Sequence, residues 1–154
     1  MNYACAAGIG AVSGLRSMAG PALVAEAAGS KRINLKGTPL AWLGTRNTMG
    51  TSALLALGEL VADKLPFTPS RLEAAPLIFR AVSGAVCGYA VCSRNRTKQE
   101  KWGSAIVGAS AALAAAWAGY TFRKNSKLPK LVAALAEDAV AMGTGAAVVS
   151  FVGQ

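Results

Sequence analysis

Twenty-one consecutive residues, Trp102–Phe122, contain no charged side chain. At 1.5 Å of rise per residue, roughly 20 residues of helix cross the ~30 Å hydrocarbon core of a bilayer, where every backbone N–H and C=O must be satisfied within the protein. The run therefore reads as a spanning helix, with Trp102, Trp117 and Tyr120 toward its ends, where amphipathic rings settle at the headgroups. The rest of the chain repeats the pattern in weaker form. Of its 154 residues, 53% are hydrophobic and 15% charged, a balance too apolar for an ordinary soluble protein of this size. Ala, Val and Gly supply much of that apolar content, so each span is only moderately hydrophobic, and a soluble alanine-rich bundle is the competing reading.

The expected fold is all-α, a polytopic membrane helix bundle forming one membrane domain over residues 1–154, with about five spanning helices packed through small residues. The first, 3–28, lacks the basic region that opens a signal peptide and is read as retained. It carries Gly10 and Gly14 as a GxxxG pair and then Arg16, and Gly20-Pro21 should kink or interrupt it. A broken helix there would present backbone groups and an arginine at mid-depth; a close-packed helix with Arg16 merely paired is the equal alternative. The second, 49–65, is stopped by Pro66 and holds Glu59 and Asp63 four residues apart on one face. The third, 77–93, places Arg80 near its start and a second GxxxG pair at Gly84 and Gly88; the fourth is 102–122. The fifth, 129–152, carries Glu137-Asp138. Adjacent acids diverge by about 100° on a helix, so at least one of them faces the bundle. Residues 29–48 are polar, with Trp42 in a short apolar piece suited to an interface. Arg16-Ser-Met-Ala-Gly20 echoes Arg80-Ala-Val-Ser-Gly84, which fits a weak internal repeat and equally a chance match in this composition.

The net charge of +9 does not point to nucleic acid. The basic residues cluster between apolar runs, at Lys31, Arg32, Lys36 and Arg46, at Arg94, Arg96, Lys98 and Lys101, and at Arg123, Lys124, Lys127 and Lys130. That is how membrane proteins meet lipid headgroups, and no aromatic-rich basic motif accompanies them. With five spans, loops 29–48 and 94–101 share a side bearing eight Lys and Arg against six opposite, a small margin that makes their side cytoplasmic. The chain has no histidine, which removes His-ligated zinc or haem and the commonest acid–base group. No cofactor or metal is expected. Cys87 and Cys92, five apart on one helix, point in different directions and suit a core better than a disulfide.

The constellation that carries chemistry is therefore made of arginines and carboxylates. Arg16 and Arg80 face Glu59, Asp63, Glu137 and Asp138, so full pairing leaves two acids that must reach the interface, take up protons or bind a cation. Both arginines are expected to be buried against a carboxylate, with Glu59 and Glu137 favoured as the deeper acids. A proton- or cation-coupled carrier or channel is the sharper functional reading; a structural or accessory subunit of a larger complex, its ion pairs fixing helix register, is the alternative. An enzyme acting on lipid through carboxylates alone is the least favoured. The expected partners are the bilayer and a homo-oligomer or larger membrane complex.

Gly14-Leu-Arg16, Glu59-Leu-Val-Ala-Asp63-Lys-Leu-Pro66, and Arg123 followed by Ala136-Glu137-Asp138 together resemble the bacterial family named domain of unknown function 4126. The resemblance covers nearly the whole chain, its most specific parts being the Glu-x-x-x-Asp-Lys-x-Pro segment and the Glu-Asp pair. It implies a small integral membrane protein, placed in a bacterial inner membrane, and supplies no substrate.

Overall fold

The computed structural model describes residues 2–62, 73–92 and 96–152. Among these residues six α-helices follow one another: α1 Asn2–Leu15, α2 Ala19–Gly29, α3 Arg46–Ala62, α4 Ala74–Val91, α5 Lys98–Asn125 and α6 Lys130–Val152, with a 3-10 turn at Ala41–Gly44. No strand occurs among the described residues.

Among the described residues three helices are long and apolar enough to cross a membrane, Ala74–Val91, Lys98–Asn125 and Leu131–Val152. This corrects the five spans expected from sequence, and the shortfall lies in the first two. The span expected over 3–28 is two helices of 14 and 11 residues, each too short to cross. The break falls at Arg16–Met18, ahead of Gly20-Pro21, because Pro21 occupies the first turn of α2, where its missing N–H breaks no bond within the helix. The helix expected over 49–65 begins earlier, at Arg46, and is described as far as Ala62. Its polar opening Arg46-Asn47-Thr48 and Glu59 leave it short of apolar length; Asp63 and Pro66 lie outside the described residues.

The other boundaries follow from caps. α5 starts at Lys98 because Thr97 and Glu100 form a capping box: the Thr97 hydroxyl accepts from the Glu100 N–H at 3.3 Å, and Glu100 accepts from the Thr97 N–H at 3.0 Å. α4 starts at Ala74, with Pro76 in its first turn.

α1, α4 and α5 pack backbone to backbone. A Cβ on Gly10 would sit 2.7 Å from the Gly108 Cα, one on Gly14 2.8 Å from the Ala112 Cα, and one on Gly84 2.7 Å from the Ala112 Cβ. No real side chain tolerates such contacts, so these glycines set how closely the helices approach. The order of contacts also sets direction. Residues 10 and 14 meet 108 and 112, so α1 runs parallel to α5, whereas 84 and 88 meet 112 and 104, so α4 runs against it.

α2 then doubles back. Ile9 in the middle of α1, with Cys5 of its first half packed against it, Val24 and Ala27 from the middle and second half of α2, Ala90 and Val91 ending α4, and Val148 and Val149 near the end of α6 share one apolar cluster, joined by Ile33, Leu35 and Leu43 of the following loop. Both open ends of the α1–α2 hairpin therefore lie where α4 and α6 finish. Its turn lies inside the bundle. The three cysteines are free, and Cys87 and Cys92 are buried.

Candidate functional site

The hairpin turn exists because four backbone groups change partners. In an unbroken helix the N–H groups of Ser17 and Met18 would donate to the carbonyls of Ser13 and Gly14. Instead the Ser17 N–H donates to Glu59 Oε1 at 2.8 Å and the Met18 N–H to Glu59 Oε2 at 2.8 Å, while the Ser17 hydroxyl adds a bond to Oε1 at 2.6 Å. The Gly14 carbonyl accepts from Arg80 Nη1. Pro21 has no N–H to offer the Ser17 carbonyl, and the Ser83 hydroxyl donates to that oxygen at 2.6 Å. Each new partner comes from α3 or α4. The turn is thus assembled by tertiary packing, with the Glu59 carboxylate at the N-terminus of α2, where the helix dipole favours an anion.

Arg80 is buried, and its Nη2 lies 3.9 Å from Glu59 Oε1. That is a loose ion pair, and the three short bonds from Ser17 and Met18 do more to place Glu59. Arg16 has the tighter partner. Its Nε donates to Asp138 Oδ1 at 2.6 Å, its Nη2 meets the same oxygen, and the two side chains are 4% and 14% exposed. Glu137 turns away to Arg123 near the end of α5, accepting from Nε at 3.0 Å and Nη2 at 2.7 Å on Oε2. Of the two acids favoured from sequence as arginine partners, Glu59 lies beside Arg80 and Glu137 meets Arg123: one residue rotates the side chain by about 100°, which aims Asp138 at α1 and Glu137 at α5. Asp63, the remaining candidate, lies outside the described residues.

Beside the turn is a cavity of about 460 Å³ between α2, α3 and α6. Its walls are single helix stripes: Ala19, Ala22, Leu23 and Glu26 recur at i, i+3, i+4 and i+7 on α2, and Met49, Ala53, Ala56, Leu57 and Leu60 follow the same period on α3. Asp138 and Met142 come from α6, and Arg16 completes the polar end. The size lies within the range of small-molecule sites, roughly 300–1,000 Å³. Among the described residues no cluster of three or more Cys, Asp or Glu could hold a metal ion.

Sequence reading named Arg123 as a cation at a span end without its partner Glu137, and gave no role to Ser17, Ser83 or Glu26. Ser83 had a signal, since it sits three residues beyond Arg80 and shares its helix face. Pro21 also marks the Ser17 carbonyl, four residues back, as one lacking a helical donor. A family model described as Domain of unknown function (DUF4126) matches residues 3–152. No curated protein and no solved structure matches the chain.

Proposed function

Because the chain belongs to the family described as Domain of unknown function (DUF4126), whose description assigns no activity, we propose from geometry that it is a proton-coupled carrier of the bacterial inner membrane. The observation that carries this reading is the Arg16–Asp138 pair, which joins the interrupted α1–α2 hairpin to α6 at the polar end of the cavity. Non-helical backbone is tolerated at membrane depth where protein buries it or it lines a cavity, and broken helices that present termini to a site are a recurring device of carriers. A proton delivered to Asp138 would neutralise the carboxylate and weaken its tie to Arg16, which loosens the hairpin's turn against α6 while their apolar contacts remain. Glu59, held by the α2 N-terminus, would keep the turn intact meanwhile.

In proteoliposomes under an imposed pH gradient, the protein should dissipate the gradient in a substrate-dependent manner, and Asp138→Asn should abolish this while remaining folded. Unchanged flux in Asp138→Asn would sink the mechanism. The second reading, a subunit of a larger complex or a homo-oligomer, draws on α3: only Ser52 is buried there, and Leu54, Leu55, Leu57 and Val61 are exposed. Purification in gentle detergent followed by mass spectrometry separates the two, since a stoichiometric partner with no flux from the isolated chain favours the subunit.

A further inference from the structure

The cavity has a charge imbalance that the coupling mechanism does not use. Arg16 is the only cation among the described residues lining it, and Asp138 neutralises it at close range. Glu26 remains. It stands seven residues beyond Ala19 on the same stripe of α2, about 10 Å further along the helix, with its side chain exposed. Lys31 and Arg32, the nearest cations in sequence, are not part of the lining. Between the two polar ends the walls are Ala, Leu and Met: Ala22, Leu23, Ala53, Leu57 and Met142.

From this juxtaposition of apolar walls, a neutralised ion pair at one end and one carboxylate at the other, we infer that the cavity takes a lipophilic monocation, its hydrophobic body against the Ala and Met walls and its charge toward Glu26. This rests on the carrier reading and adds the substrate class. The balance of the terms argues for a cation over an anion or a neutral lipid chain. An apolar body gains from burial whatever its charge, at about 25 cal/mol per Å², so the sign of the ligand is decided by the lining, whose described residues carry a net charge of −1 from Arg16, Asp138 and Glu26. Small Ala side chains at 19, 22, 53 and 56 leave the room, and the flexible thioethers of Met49 and Met142 allow the walls to adapt to bodies of different shape.

The test is equilibrium binding of tetraphenylphosphonium to the full chain in lipid nanodiscs, corrected against empty nanodiscs of the same lipid, with tetraphenylborate as the anion of matching shape. Saturable binding of the phosphonium is expected, with the borate at least about tenfold weaker, the scale of one charge contact. Glu26→Gln should lose about tenfold in phosphonium affinity, and Glu26→Lys should reverse the preference, since the lining charge then becomes positive. Ala53→Trp, which fills the cavity from its α3 wall, should abolish binding of both ions. Because Glu26 is exposed, its variants keep the fold, and helicity with a monodisperse elution profile checks this. Equal binding of the two ions, or a phosphonium affinity unmoved by Glu26→Gln, overturns the inference and leaves a nonspecific lipid-facing groove. Proton flux without phosphonium binding would retain the carrier and discard this substrate class. Phosphonium binding with no proton-driven uptake would retain the ligand class and discard the carrier.

Discussion

Asp138→Asn removes the carboxylate that Arg16 meets through Nε at 2.6 Å and through Nη2, in a place where the arginine side chain is only 4% exposed. Asn keeps an acceptor oxygen, so one hydrogen bond can survive. What is lost is one charge held at close range against a buried guanidinium. Breaking a buried ion pair by removing one partner costs about 3–5 kcal/mol, and an uncompensated arginine at bilayer depth about 2.5–3.5 kcal/mol on insertion scales, so a loss of about 3 kcal/mol is expected. At 1.4 kcal/mol per decade this is about a hundredfold in the unfolding equilibrium. Removing both charges with Arg16→Met and Asp138→Leu should cost much less, because apolar replacement of a whole buried pair is often near neutral. The assay is reversible unfolding in mixed micelles, completed as a double-mutant cycle, with a coupling energy expected above about 2 kcal/mol. The corresponding cycle on Arg80 and Glu59 should give a smaller value, since that pair is separated by 3.9 Å and Glu59 is held mainly by Ser17 and Met18. A coupling below about 0.5 kcal/mol for Arg16 and Asp138, or a double variant as unstable as the sum of the singles, would refute the reasoning.

Three further outcomes follow. In a background without native cysteines, Tyr3→Cys and Lys36→Cys should label from one side of the membrane and Lys127→Cys from the other, because the α1–α2 hairpin returns to the end from which it started; labelling of Tyr3→Cys and Lys36→Cys from opposite sides would restore the first spanning helix. Ser83→Ala should cost about 1–3 kcal/mol by leaving the Ser17 carbonyl without a donor, and adding Pro21→Ala should recover part of it, because a backbone N–H at position 21 can then reach that oxygen; no recovery in a thermal melt would count against the proline's role. Gly108→Val should be among the worst single changes, at least about 3 kcal/mol, because a side chain there meets the backbone of Gly84 rather than a movable side chain, and normal yield and stability would argue against the close packing of α4 on α5.

The sequence alone determined the helical class and the apolar identity of α4, α5 and α6, because length and uncharged composition are local properties that a bilayer reads segment by segment. It also singled out Arg16, Glu59, Arg80, Glu137 and Asp138, since charges within apolar runs stand out before any fold is known. It did not determine that residues 3–28 form a hairpin. Nothing within α1 or α2 alone satisfies the Ser17 and Met18 N–H groups or the Gly14 and Ser17 carbonyls; Glu59, Arg80 and Ser83 do so from helices about 40 to 66 residues away. The partner of each arginine was decided in the same way. Glu137 and Asp138 are neighbours in the chain, and only the placement of α6 between α1 and the end of α5 sends one acid to Arg123 and the other to Arg16. Likewise Glu26 became a cavity residue only when α2 folded back toward α3, because a cavity belongs to the space between elements and has no local signature in any one of them.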